Sequence, residues 1–236
     1  MLRGLVVKWP AALLWVPVLV TADVGFERHV VYTGGVVHSA QAVDYNADGL
    51  KDLVFTAEGG VNIALAPSFE VRRICDTPKP LKPNSYHSAV MDVDGDGDMD
   101  FLGENNGLYW LECPEDPLSS PWKLHWITRA FTGIHCITIQ DVDEDGRLDI
   151  VVNNYWHRHQ RKTIPNQYPA SIVWFSIPVE PGNPEAWVPR ILADGDAVGG
   201  SHYMAFADLD DDGHDEILVG AKGFSLWSGN YFAYWS

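Results

Sequence analysis

The sequence predicts an all-β protein, a β-propeller built from four-stranded blades with acidic loops. Three observations predict it. A nine-residue acidic segment occurs four times, at 44–52, 92–100, 141–149 and 208–216. A short apolar run follows each one: Leu53-Val54-Phe55, Phe101-Leu102, Ile150-Val151-Val152 and Ile217-Leu218-Val219. An aromatic-x-x-(His/Arg)-x-aliphatic signature recurs at Phe26, Phe69, Trp122 and Trp187. Repeats of about 40–50 residues holding four strands each are the mark of propeller blades. No segment has a helical apolar period.

The elements follow in chain order. Residues 1–22 read as a signal peptide, with Arg3 and Lys8 as the basic start and Trp9 to Val20 as an uncharged run. That run falls short of the roughly 20 apolar residues a spanning helix needs, and Val20-Thr21-Ala22 places cleavage after Ala22. Residues 23–236 form the repeat domain, with units around 38–76, 87–128, 135–193 and 202–232. Each acidic loop leads into an apolar strand, then a turn, then a strand containing Ile63, Trp110, Trp174 or Trp227. The chain opens with a signature strand at Phe26 and ends where such a strand is missing. Residues 26–33 are therefore expected to close the last blade if four blades complete the ring; the alternative is part of a larger propeller.

Composition narrows the function. With 16 basic and 32 acidic residues the net charge is -16, which excludes a phosphate-neutralising face for nucleic acid and docking on anionic lipid. No segment after the signal peptide can cross a membrane as a helix. The expected localisation is secreted, periplasmic or cell surface. Cys75, Cys113 and Cys136 lack metal-binding spacing and read as buried thiols.

The acidic segments hold 19 of the 32 acidic residues and only two basic ones, Lys51 and Arg147. The rest of the chain is almost neutral. Asp-x-(Asp/Asn)-x-Asp-Gly-x-x-(Asp/Glu) is the spacing of a calcium loop. Positions 1, 3 and 5 supply side-chain oxygens, Gly at position 6 permits a sharp turn, position 7 offers a carbonyl, and position 9 adds a carboxylate. The expected ligands are Asp44, Asn46, Asp48, Leu50 and Asp52; Asp92, Asp94, Asp96, Asp98 and Asp100; Asp141, Asp143, Asp145, Arg147 and Asp149; and Asp208, Asp210, Asp212, His214 and Glu216. Up to four Ca²⁺ are expected.

These loops resemble the FG-GAP and VCBS repeats of secreted bacterial proteins and of the integrin alpha-chain propeller. The resemblance extends over residues 26 to 230. It implies a calcium-binding propeller, usually of seven blades, and does not imply one activity. The family's phenylalanine-glycine and glycine-alanine-proline signatures are kept only as echoes at 64–67 and 219–221.

Two groups of residues are candidates for chemistry. His38, His87, His135 and His202 precede the first loop aspartate by 6, 5, 6 and 6 residues. Innermost strands line a propeller's channel, so these histidines would converge, to bind a second metal or to act as acid and base. The second group lies in the extra length of unit three: Tyr155, Trp156, His157 and Arg158. Its aromatic rings suit sugar stacking, and its guanidinium suits a carboxylate or phosphate. No nucleophile elbow, phosphate loop or zinc-protease helix occurs. The expected function is an exported binding or adhesion module for an extracellular protein or glycan. The alternative is a carbohydrate-active enzyme of lyase or dehydratase type, using the channel histidines with a metal.

Overall fold

The computed structural model describes residues 25–57, 59–76, 87–119, 121–155, 169–198, 200–222 and 231–235. The chain divides into two units, residues 1–30 and 31–236. In the first, residues 25–30 form no strand.

The second unit holds four antiparallel sheets in chain order. The first contains β1 (Val37–Val43), β2 (Asp52–Ala57), β3 (Gly60–Leu65) and β4 (Glu70–Asp76). The next comprises β5 (Ser88–Met91), β6 (Asp100–Glu104), β7 (Leu108–Glu112) and β8 (Lys123–Thr128). The third comprises β9 (Ile134–Gln140), β10 (Asp149–Asn154), β11 (Pro169–Phe175) and β12 (Arg190–Val198). The last comprises β13 (Gly200–Ala207), β14 (Glu216–Lys222) and β15 (Tyr231–Trp235). Every strand pairs with its sequence neighbour, the up-and-down order of a propeller blade. No α-helix occurs among the described residues; a single 3-10 turn spans Pro184–Ala186.

The continuous apolar runs are explained by burial of both sheet faces. In β10, Ile150 and Val152 join a cluster with Leu102, Leu108 and Trp110 of the second sheet. Val151, between them, joins Met204, Ile217 and Val219 of the fourth. The second sheet likewise turns Phe101, Tyr109 and Leu111 toward Val54, Val61 and Ile63 of the first. Successive side chains point to opposite faces, so a strand sandwiched between sheets needs apolar residues at every position.

The recurrent signature marks the fourth strand, and its basic residue is a cross-strand partner. His125 pairs with Trp110 and stacks on it, ring centroids 4.3 Å apart. Arg190 pairs with Trp174 and lies 4.5 Å over its ring. Arg72 pairs with Ile63.

Two expectations are corrected. Residues 25–33 form no strand, and the last sheet has three strands among the described residues. The closing strand expected over 26–33 is thus absent. Phe26 is 95% and Val30 57% exposed, whereas Val31 and Tyr32 are partly buried and pack beside Phe55 of the first sheet without pairing as a strand. The third strand of the last unit was expected around Trp227, which lies outside the described residues; the strand observed is Tyr231–Trp235.

Candidate functional site

Each acidic segment folds into the same loop between the first and second strand of its sheet. Both oxygens of the position-1 carboxylate accept backbone N–H groups across the turn in all four loops. Asp44 accepts from Asp48 and Gly49, Asp141 from Asp145 and Gly146, and Asp208 from Asp212 and Gly213. In the second loop Asp92 accepts from Gly95 and Gly97. The position-5 carboxylate accepts from the N–H of position 7 in all four. The glycine at position 6 has φ of 87°, 99°, 86° and 94°, the left-handed region that glycine enters without steric cost. Position 4 is left-handed too, at Ala47, Gly95, Glu144 and Asp211. The sequence discloses that second reversal only through Gly95.

The ninth position has a part beyond the expected one of ligand. Its carboxylate is buried at Asp52, Asp100, Asp149 and Glu216, and it ties the loop to the sheet. Asp52 accepts from the amides of Tyr45 and Ala66, at 2.8 and 2.7 Å. Asp100 accepts from Val93 and Cys113, at 2.9 and 2.8 Å. Asp149 accepts from Val142 and Glu216 from Leu209. Burial pushes the Asp100 carboxyl up to about 7, against the two amide bonds that hold it down. Burial also raises Asp94, Asp98 and Asp149, with neighbouring loop carboxylates adding to it.

Three loops bring ligand oxygens within 4.8 Å of one another: Asp92, Asp94 and Asp96; Asp141, Asp143 and Asp149; Asp208, Asp210 and Glu216. Such an all-oxygen anionic donor set fits a hard divalent cation. The first loop has the same backbone turn but carries Asn46 at position 3, whose amide side chain donates to Asp48. Arg147, expected to offer only its carbonyl, also forks its guanidinium onto Asp145. His214 pairs with Glu144 of the preceding loop.

The second cluster forms at the other end of the same first strands. His87 stands before β5, His135 on β9 and His202 on β13. Their rings meet: His87 and His135 have centroids 5.8 Å apart, and His135 and His202 4.8 Å. Tyr155 stacks on His135 at 4.4 Å and meets His202 edge-on at 5.1 Å. Tyr203 adds edge contact to His87 at 5.3 Å and a tilted one to His202 at 5.7 Å.

The unequal histidine spacing has a backbone cause. The pairing of β9 slips between Asn154↔Ile134 and Asn153↔Cys136, leaving His135 as an inserted residue. The pairing of β13 slips between Ser201 and Tyr203, so His202 is inserted. The pairing of β1 slips between Val37 and Ser39, so His38 is inserted in the first sheet. The register of β5 is regular. A bulge adds one residue without changing which face the rest present. Six residues with a bulge and five without one therefore reach the loop in the same phase.

The cluster is electrostatically the inverse of the loops. Burial pushes His135 down to about 4, and the His202 and His87 imidazoles add to it. Burial and His202 lower His87 as well. Both imidazoles are neutral at pH 7. Among the described residues, the groups with three metal-ligand atoms all within 4.8 Å are the acidic ones; the histidines, proposed from sequence as a second metal site, do not form such a group.

Of the insertion residues, Tyr155 is described. It ends buried beside the histidines, its N–H donating to the Gly133 carbonyl at 2.7 Å. Trp156, His157 and Arg158 lie outside the described residues. Tyr203 had no distinguishing signal in the sequence beyond following His202. Cys75, Cys113 and Cys136 are free and buried. No described helix is long and apolar enough to cross a membrane.

Among curated proteins none matches the chain. A solved structure of an Agrocybe aegerita lectin, described as recognising non-reducing terminal N-acetylglucosamine, is similar at 15% identity and a TM-score of 0.37. The similarity covers 78% of this chain, which spans 60% of that one; so distant a likeness carries no argument about ligand. The FG-GAP-like repeat matches twice, over residues 44–103 and 92–152. Both matches begin at the first aspartate of an acidic loop and run through the strands it precedes, so residues 44–152 are identified as two FG-GAP-like repeats.

Proposed function

We propose that this protein is an exported, calcium-binding repeat module that captures an extracellular glycan or protein at its histidine–tyrosine cluster. The observation that carries the reading is the meeting of His87, His135, His202, Tyr155 and Tyr203, drawn from three sheets, at the end of the strands opposite the acidic loops. Imidazoles offer hydrogen-bond donors and acceptors, and phenol rings offer stacking faces; a sugar ring uses both. Tyr203 is 64% exposed and so available to a ligand. Trp156, His157 and Arg158, which lie outside the described residues, are ligand candidates on the sequence alone.

Calcium has a separate part in this reading. Asp44, Asn46, Asp48 and Asp52, with the equivalent residues of the other three loops, would hold up to four ions. Bound there, Ca²⁺ supplies positive charge that offsets loop repulsion. The chain's own part is to fix the loop backbone through the position-1 and position-9 carboxylates.

The neutral imidazoles favour a second reading, a carbohydrate-active enzyme of lyase or dehydratase type. A neutral histidine accepts a proton at pH 7, and a tyrosine hydroxyl beside it can donate one. One experiment separates the two. Surface polysaccharides and a glycan array are incubated with the calcium-loaded protein and with Tyr203→Ala and His202→Ala. Retention of intact glycan, lost in both variants, supports the binding module. Appearance of shortened or unsaturated products, also lost in both, supports the enzyme. Equal behaviour of parent and variants removes the cluster as the site.

A further inference from the structure

The geometry points to a singly charged oxyanion on a sugar ring, the carboxylate or sulfate ester of an acidic polysaccharide, as the group this cluster takes, captured together with a proton. The inference rests on the proposed ligand site and specifies its chemistry.

The argument begins with placement. The cluster residue His135 on β9 and the loop residue Asp141 just past its end stand six residues apart, about 20 Å along an extended chain. The chain's acidity is thus concentrated at one end of the first strands, and imidazoles meet at the other. Three imidazoles with ring centroids 4.8 to 5.8 Å apart along the series His87–His135–His202 cannot all be charged without repelling one another. An anion placed against them changes that balance: a protonated imidazole then gains an opposite charge where it had only like ones. A neutral sugar supplies hydrogen bonds but no such gain.

The groups around the imidazoles fit this account. Burial depresses His135 first, with the charges of His202 and His87 adding to it, and burial then the charge of His202 depress His87. On β6, the neighbour of β5, buried Glu104 follows Gly103, the partner of Ser88. On β10, Asn153 and Asn154 face β9, both buried amides. On β14, Gly220 and Ala221 face β13 on either side of the His202 bulge, and Lys222 pairs with Gly200. On β1, which contacts β5, His38 holds the corresponding bulge. Glu104 is a buried carboxylate at the cluster end of β6. Tyr203, exposed beside His87 and His202, provides the ring on which the sugar carrying the anion stacks.

The sign of the pH dependence follows. Free His87 and His135 are neutral at pH 7, and the bound anion favours the charged form, so binding takes up a proton from the buffer. Affinity then rises as pH falls, approaching about tenfold per pH unit for one proton. The test is titration calorimetry on the full chain in saturating Ca²⁺ at pH 7.5, 6.5 and 5.5, in two buffers of different ionisation enthalpy. The probes are trigalacturonate, a singly O-sulfated galactotriose and neutral galactotriose. The expected result is binding of an acidic probe, with uptake of close to one proton and about tenfold tightening per pH unit. Neutral galactotriose should bind at least tenfold more weakly and without pH dependence. The two acidic probes distinguish carboxylate from sulfate. His135→Gln should abolish proton uptake; His87→Gln, a substitution outside the strand, gives a second measure should the first disturb folding.

Equal binding of acidic and neutral probes, pH-independent binding, or no binding of either acidic probe overturns the inference. If neutral galactotriose binds and Tyr203→Ala abolishes it, the ligand site stands while the anion assignment falls. If proton-linked binding persists unchanged in both histidine variants, the ligand site itself falls.

Discussion

At the scale of single residues, the acidic loops separate two demands that the motif runs together. Position 6 requires a backbone conformation, whereas position 9 requires an acceptor. At Gly146, φ is 86° and an added Cβ would meet nothing within 4 Å. Gly146→Ala should therefore cost about 1–2 kcal/mol from backbone strain alone, measured by urea denaturation at fixed calcium. Ala47, at φ 57°, offers the opposite experiment. Ala47→Gly relieves about 1–2 kcal/mol of left-handed strain and adds about 0.5–1 kcal/mol of unfolded-state entropy. A net gain of up to about 1 kcal/mol is expected in the same measurement. Asp100→Ala strips acceptors from the buried amides of Val93 and Cys113, so a loss of at least about 2 kcal/mol is expected. The loss should persist in excess chelator, because those amide bonds do not depend on a cation. A variant as stable as the parent in chelator would show that position 9 acts only through metal.

At the scale of elements, loop and strand are one cooperative piece. The second loop is anchored by Asp100 to the sheet that carries it, and Gln140 at the end of β9 donates to Asp215 of the next loop at 2.9 Å. Calcium bound to the folded loops but not to the unfolded chain should stabilise the protein by about 2.7 kcal/mol per site at one hundred times Kd. Chelation should lower the thermal midpoint, and readdition of Ca²⁺ should restore it. An unchanged midpoint would remove calcium from the structural account. The connection after β11 contributes a second tie. The Pro181 carbonyl accepts from Trp187 at 2.9 Å and from Trp110 of the second sheet at 3.4 Å. Trp187→Phe keeps most of the apolar volume and deletes one of these bonds, so a loss of about 1 kcal/mol is expected by denaturant titration.

At the scale of the whole unit, the sheets pack in chain order through three apolar clusters, and their first strands bring distant histidines together. This convergence predicts a pH signature for stability. His135 titrates near 6.5 when unfolded and about 4 when folded. The unfolded chain therefore gains its proton first as pH falls. Stability is fully present above about pH 6.5 and declines as pH drops through that window toward 4. His135→Asn removes the group and should flatten the part of the curve between pH 6.5 and 5, read as thermal midpoint against pH. A midpoint profile identical to the parent's there would rule out the depressed imidazole. Carboxylate protonation in the loops adds its own losses nearer pH 4, and fixed saturating calcium separates the two.

Much of this was written locally in the sequence. Four acidic segments at blade spacing, each followed by an apolar run, determined strand content, sheet number and the position of every loop. A calcium-type loop is a local object: carboxylates two residues apart, and a glycine that permits the reversal, act within nine residues. The apolar runs likewise announced strands buried on both faces. What the sequence left open depended on contacts between residues far apart. Position 9 reads as a ligand in the motif, but Asp52 and Asp100 also accept from Ala66 and Cys113, each just past the end of the sheet's third strand. Residues 26–33 carry the signature of a fourth strand and form none, because a signature specifies a face and not the sheet that must cover it. The one-residue difference in histidine spacing was reconciled only by bulges in β1, β9 and β13, which are properties of strand pairing. Tyr155, read as the start of an exposed loop, is buried on His135, and Tyr203 gave no signal at all. Tyr155 also meets His202 and Tyr203 meets His87, contacts that cross from sheet to sheet, where packing between residues more than forty positions apart, and not local propensity, decides which side chains meet.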